Sequence, residues 1–367
     1  MKIAFRVDAS IQIGTGHVMR CLTLANALTK KGHKCFFVCR DHNGHLGKLI
    51  KAKGFVLYLL PNTGKTISPD LLAGNSHAPW LGVSWEFDLN QTMNILRGQF
   101  VDWLVIDHYA LDNYWEELAS RVVKHILVID DLADRQHHCD LLLDQTFGRK
   151  AGDYSLLLPA SCEIICGSQY ALLRPEFAAL RSDSLERRTK PKLNNLLISM
   201  GGVDKDNVTG QILDALKNCE LTNDCKIVVI LGSTAPWLNF VKEQVKTLPW
   251  LVEVKSGVNN VAELMADSDL AIGAAGSTSW ERCCLGIPTA MLVLAENQKF
   301  AAKLLEKAGA VKLMSLEGIL QGELSNLIND IQTPSVYNQL SASAAALTNG
   351  KGCQYVINKM EGGINGL

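Results

Sequence analysis

The sequence predicts an α/β protein of two doubly wound, Rossmann-like domains facing each other across a cleft. Three observations carry that expectation. Short apolar strands alternate with helical stretches through both halves of the chain. Several strands are rich in Val, Ile, Leu and Phe without polar alternation, as parallel strands covered on both faces should be. Glycine-bearing strand-to-helix turns stand near the start of each half, at residues 14–16 and 201–202. A chain of 367 residues also fits two domains of ordinary size better than one.

Taken in order, the first half offers strands at 3–7, 34–40, 55–60, 103–109, 125–131, 141–145 and 163–167. Helical stretches fall near 18–31, 44–53, 87–98 and 113–123. Around 181–191 the text turns polar and charged, which reads as a surface connection. Strands follow at 195–200, 226–231, 252–255, 270–274, 289–294 and 310–313. Their helices are expected near 206–218, 237–247, 260–266, 277–285, 296–308 and 323–331. This gives an N-terminal domain over 1–178, a C-terminal domain over 190–345 and a tail over 346–367. One more helical stretch is expected at 336–347, and the tail ends in a Gly-rich segment at 361–367 expected to fray.

The totals exclude several classes. Apolar residues make up 47% and charged residues 20%, with a formal net charge of −1. That balance gives no basic excess to suggest nucleic acid. No apolar run approaches the ~20 residues of a membrane span, and the start reads as a strand rather than a signal peptide, so the expected location is cytoplasmic. Eleven cysteines are scattered in apolar runs without CxxC pairs, and read as buried thiols. His137-His138-Cys139-Asp140 matches no zinc spacing, and no metal or cofactor is expected. All nine histidines lie within the first 138 residues. Proton transfer on imidazole therefore belongs to the first half, and anion binding by backbone and hydroxyl groups to the second.

Three turns carry the candidate chemistry. Gly14-Thr15-Gly16-His17 follows the first strand and opens a helix, where glycines let the backbone approach a ligand and open α/β sheets collect one. Met19 breaks the dinucleotide fingerprint, so a nicotinamide or flavin is not expected. His17 is expected to face a ligand, with a packed histidine as the competing reading. Gly201 and Gly202 repeat the arrangement in the second half, where a plain turn is the alternative. In Gly273-Ala274-Ala275-Gly276-Ser277-Thr278-Ser279-Trp280-Glu281, small residues clear space before hydroxyls and free N–H groups at a helix start, which suits a diphosphate. Glu281 is placed to accept hydrogen bonds from a ribose diol. Simple helix capping by Ser277 or Thr278 is the competing reading. Asp107-His108-Tyr109, Asp130-Asp131 and Asn297-Gln298 end or follow strands nearby. The adjacent carboxylates Asp130 and Asp131 should point in opposite directions and are not a ready-made metal pair.

These motifs resemble the PseG family of UDP-sugar hydrolases. The segments concerned are Phe5 to Ser10, Ile13 to Cys21, Ile106 to Tyr109, Asp130 to Arg135, Cys139 to Gln145, Tyr170 to Phe177, Met200 to Asp204 and Glu296 to Gln298. The glycine turns alone are shared with MurG-like glycosyltransferases of the same GT-B fold. The resemblance implies hydrolysis of UDP-2,4-diacetamido-2,4,6-trideoxy-β-L-altropyranose in pseudaminic acid biosynthesis. It implies His17 as general base, Arg174 and Glu281 as substrate contacts, and Tyr109 and Asn297 lining the sugar pocket. UDP-sugar and water are then the partners, with no nucleic acid or membrane, and the oligomeric state is left open. Residues 63–83 match no motif. A transferase on the same fold, or a nucleotide-sugar binding protein without catalysis, are the rival classes, because fold does not decide what attacks the sugar.

Overall fold

The computed structural model describes residues 1–62 and 75–365. Residues 63–74, part of the stretch without a motif, and residues 366–367 lie outside the described residues. The chain divides into two units, Met1–Leu172 with Gly352–Leu367, and Leu173–Lys351.

The first unit is built on a seven-stranded parallel sheet. Its strands are β1 (Lys2–Val7), β2 (Lys34–Arg40), β3 (Val56–Leu60), β4 (Val101–Asp107), β5 (Val123–Ile129), β6 (Leu141–Asp144) and β7 (Glu163–Cys166). They lie in the order β3-β2-β1-β4-β5-β6-β7, with Phe5 beside both Phe37 and Val105. The order reverses between β1 and β4. The flanking helices are α1 (Gly16–Lys30), α2 (Gly47–Ala52), α3 (Trp85–Leu96) and α4 (Asn113–Ala119). Ile3, Phe5 and Val7 pack into one core with Val18, Cys21 and Leu24 of α1, while Ala4 joins Leu89 and Trp115 in a second core on the other face. Burial on both faces is why these strands read as unbroken apolar runs.

The stretch set apart as a tail contains a helix, Gly352–Asn365, that belongs to the first unit. Its Cys353, Val356, Ile357 and Met360 are buried in the core shared with α1. The spacing is that of an apolar helical stripe, which the glycines near the end conceal in the sequence. Glu361 ties it down through Lys31 at 2.8 Å and His33 at 3.0 Å.

The second unit begins with α5 (Pro175–Arg187), where a surface connection was expected over 181–191. The charged residues that suggested solvent have partners within the unit. Arg181 donates to the carbonyls of Cys284 and Ala345, Arg187 meets Asp269 at 2.7 Å, and Arg188 donates to Ser268 O at 2.7 Å. The sheet that follows has six parallel strands: β8 (Asn195–Ser199), β9 (Lys226–Leu231), β10 (Leu251–Ser256), β11 (Leu270–Ala274), β12 (Thr289–Leu292) and β13 (Lys312–Met314). Their order is β10-β9-β8-β11-β12-β13, with Gly273 beside Ser199. Here the order reverses between β8 and β11. The remaining helices are α6 (Val208–Leu216), α7 (Leu238–Gln244), α8 (Val261–Ala266), α9 (Thr278–Cys284), α10 (Lys299–Lys307), α11 (Leu316–Leu320), α12 (Glu323–Gln332) and α13 (Pro334–Leu347).

Candidate active site

In an open α/β sheet, ligands collect outside the carboxyl ends of the two strands between which the order reverses. In the first unit those ends belong to β1 and β4. The chain leaving β1 tightens at Gly14, whose N–H donates to Ser10 O at 2.8 Å and whose φ of +82° suits glycine. Gly16 then begins α1 and sets His17 in its first turn. Val18, Cys21 and Leu22 turn to the core, which leaves His17 and Arg20 beside the last residue of β4, Asp107.

His17 Nδ1 lies 2.5 Å from Asp107 Oδ1. Arg20 forks the same carboxylate, with Nε 2.6 Å from Oδ2 and Nη2 2.7 Å from Oδ1, and its Nη1 reaches Asp131 at 2.9 Å. Burial alone pushes the Asp107 carboxyl up, but Arg20 and then His17 outweigh it and hold the group well below the usual carboxylate range. Asp107 therefore stays ionised and accepts the Nδ1 proton. Nε2 has no hydrogen-bond partner among the described residues. The turn was expected to expose His17, yet the residue is only 9% exposed. What covers it is polar and aromatic. The Tyr109 ring meets the imidazole edge-on at 4.6 Å and Trp80 at 6.5 Å, while His77 sits 5.2 Å from Tyr109 and 4.8 Å from Trp80. Asn75 anchors this group by donating to Tyr109 O at 2.9 Å. The Tyr109 hydroxyl donates to Asp131, and burial together with Asp131 pushes its pKa upward.

Asp130 and Asp131 do point apart. Asp130 turns to Arg135 at 2.8 Å and Asp131 to Arg20. His137 meets Glu116 at 2.8 Å, and Cys139 faces Cys162 with sulfurs 3.6 Å apart. None of the eleven cysteines forms a disulfide. Among the described residues, no group of three or more His, Cys, Asp or Glu is arranged to hold a metal ion.

In the second unit the reversal falls between β8 and β11, so the turns at Gly201–Gly202 and Gly273–Ser277 leave neighbouring strands. Gly201 has φ +91°. A Cβ on Gly232 would run into the Gly202 carbonyl, so backbone approaches backbone there. Asp204 accepts from the N–H groups of Val208 (2.9 Å) and Thr209 (3.0 Å) and thereby starts α6. At the other turn, a Cβ added to Gly276 would meet nothing within 4 Å. Ser277 is exposed and its hydroxyl makes no cap to α9. The capping alternative thus fails for Ser277. Thr278 Oγ1 accepts from Arg282 Nη1 at 3.1 Å, which leaves its own hydroxyl proton to donate elsewhere.

Glu281 and Arg174 come together in this unit, 3.6 Å apart, although Arg174 was assigned to the first domain by its position in the sequence. Arg174 also donates to Asn259 O at 3.4 Å. Burial raises the Glu281 pKa, and Arg174 offsets only part of that rise. Asn297 is exposed in the turn after β12, whereas Gln298 accepts from Leu294 N at 2.9 Å and braces that turn.

Residues 195–354 match the glycosyltransferase family 28 C-terminal domain. Over 310 residues the chain is 29% identical to UDP-2,4-diacetamido-2,4,6-trideoxy-beta-L-altropyranose hydrolase of Campylobacter jejuni, covering 84% of this chain and 97% of that protein. It is 28% identical over 330 residues to the spore coat polysaccharide biosynthesis protein SpsG of Bacillus subtilis, covering 88% and 86%. The crystal structure of Acinetobacter baumannii MurG superposes with a TM-score of 0.67 at 18% identity, covering 98% of this chain and 99% of that one. The expected GT-B fold is thus the fold of this chain, and the resemblance read from its motifs extends over most of its length.

Proposed function

We propose that the protein hydrolyses a UDP-linked 2,4-diacetamido-2,4,6-trideoxy sugar, with UDP-2,4-diacetamido-2,4,6-trideoxy-β-L-altropyranose as the substrate. The observation that carries this reading is the 2.5 Å contact between His17 and Asp107 at the β1/β4 reversal. An anionic acceptor on Nδ1 fixes the neutral tautomer whose Nε2 can take a proton. In the proposed reaction, water oxygen bonds to the anomeric carbon and its proton passes to His17 Nε2. The bond from that carbon to the UDP oxygen breaks, and the electron pair leaves with UDP. The products are UDP and the free sugar.

Holding the leaving group falls to the second unit. Ser277, Thr278 and the backbone around Gly201, Gly202 and Gly276 are assigned to the diphosphate, and Glu281 with Arg174 to the ribose side. Tyr109 and Asn297 are assigned to the sugar, and Gly14 and Gly16 to close backbone approach beside His17. Hydroxyl, amide and guanidinium donors supply the positive field, so metal independence is part of the proposal. The similarity to the Campylobacter hydrolase supports water as the attacking group, while the family 28 match is what favours a transferase.

One experiment separates them. The protein is incubated with the UDP-diacetamido sugar in heavy-oxygen water, without an acceptor and with EDTA. The expected result is UDP release with the label in the sugar and none in UDP. UDP release that waits for an added acceptor would establish the transferase. Tight UDP binding with no release would reduce the protein to a nucleotide-sugar binder.

A further inference from the structure

Arg282 is 2% exposed, in the second turn's worth of residues after Ser277, and its guanidinium lies beneath the Gly273–Ser279 segment. Nη2 donates to Ala274 O at 2.7 Å and to Ser279 Oγ at 3.2 Å, and Nη1 to Thr278 Oγ1 at 3.1 Å. Nε is buried with no partner. Among the described residues no carboxylate pairs with it, because the adjacent Glu281 turns to Arg174 instead. A Cβ on Gly273 would strike Nη1, so that strand residue must be glycine for the guanidinium to sit there. Ser199 O, at the end of β8, borders the same spot. The group therefore lies beneath the Gly273–Thr278 turn of the β8/β11 reversal.

A buried cation without an anion is costly, and proteins pair such charges or place them where a ligand does so. Arg188 is the instructive contrast in the same unit. It too is buried without a carboxylate, but it donates to Met265 O and Ser268 O, at and just beyond the carbonyl end of α8. The negative end of that helix offsets its charge. Arg282 stands in the last turn of α9, but its guanidinium folds back to the Thr278 and Ser279 hydroxyls at the helix start, where the partial charge has its own sign. Burial lowers the pKa of both arginines to about 10, so what sets Arg282 apart is the geometry around it.

We propose that Arg282 is a positioning residue for the diphosphate of the nucleotide, acting as a fixed counter-charge behind the Gly273–Thr278 turn. By donating to Thr278 Oγ1 and Ala274 O it also turns the threonine hydroxyl proton and the N–H groups of the turn outward. The inference rests on the proposed UDP-sugar reading. It goes further in assigning the charge that holds the leaving group to a buried residue behind the turn.

The test uses the full chain and three ligands, UDP, UMP and uridine, by calorimetry, with thermal melts of the free protein. Arg282→Met should weaken UDP binding about 10- to 100-fold and UMP binding less, and leave uridine unchanged. Arg282→Lys, which keeps the charge but not the fork, should retain UDP binding better than Arg282→Gln. Because the free protein carries an unmatched charge, Arg282→Met should melt within about 4 °C of the parent. UDP affinity within twofold of the parent in a folded Arg282→Met would overturn the assignment. So would equal losses in Lys and Gln variants with melting lowered in both, the signature of a purely structural brace. If Arg282→Met does not fold, the Lys-against-Gln ordering decides. A parent protein that does not bind UDP would instead overturn the functional reading itself.

Discussion

The two chain reversals handle buried charge in opposite ways. At β1/β4 each buried arginine has a carboxylate. Arg6 meets Asp8 at 2.7 Å and Asp88 at 2.6 Å, Arg40 meets Asp88 at 2.6 Å, and Arg20 forks Asp107. At β8/β11 the buried Arg282 has only hydroxyl and carbonyl oxygens. A balanced site can move a proton without a large change in field, which suits a base whose partner must stay ionised. An unbalanced site is complementary to something negative that arrives later. In the proposed reading the same sheet topology serves proton transfer in one unit and anion binding in the other, and the difference lies in which side chains surround the arginines.

The largest expected effect tests the first half of that comparison. His17→Ala should lower turnover by about 10²–10⁴-fold while UDP affinity stays at the parent value, since no residue of the second unit is altered. Steady-state kinetics beside UDP calorimetry would read it, and near-parent turnover would remove His17 from the role. Asp107→Asn should fall nearly as far, because an amide can present its NH₂ to Nδ1 and favour the wrong tautomer. It should also melt lower, since Arg20 then loses its charged partner. A smaller effect is expected in the other unit. Glu281→Gln should weaken UDP and uridine binding alike, by about 5- to 20-fold, with kcat little changed. Loss of kcat without loss of binding would place Glu281 in the chemistry and blur the division of labour.

How much of this was legible in the sequence depended on the kind of signal. Thirteen expected strands appear, because fully buried parallel strands announce themselves as apolar runs. The helix at Pro175–Arg187 did not, since its arginines look solvated and find carbonyl and carboxylate partners only through the fold. The C-terminal helix was hidden by glycines around a short apolar stripe. In the sites, His17, Gly14, Gly201 and Gly276 could be read from turn chemistry. Asp107 as the partner of His17, 90 residues away, could not be paired from spacing. Its place at the end of an apolar strand was the one available hint. Trp80 and His77 lie in a stretch without a motif, and nothing in the sequence marks Arg282 as a buried charge. What the sequence withholds is which distant groups share a buried charge, because that is settled by packing.

The smallest effect concerns a carboxyl pair behind the first site. The Tyr154 hydroxyl has one proton, yet Asp130 Oδ2 and Asp144 Oδ2 both lie 2.9 Å from it. One carboxylate therefore faces a phenol oxygen that cannot donate to it. Arg135 leads the groups that offset burial and keep Asp130 ionised, at about 2. Asp144 is the one that yields, pushed up to about 6 by burial first and by Asp131 second, despite Arg149 at 2.8 Å. A carboxyl whose folded pKa exceeds its unfolded value stabilises the fold while protonated. That contribution is complete below the unfolded pKa and is lost as pH rises through about 6. Acidifying from about pH 7.5 to about pH 5 should thus stabilise the parent relative to Asp144→Asn, whose side chain does not titrate, by about 1–2 kcal/mol. Urea unfolding of both proteins across that interval reads the difference. A difference that is flat with pH would mean that Asp144 is already ionised and that the first reversal is even more charge-rich than its hydrogen bonds imply.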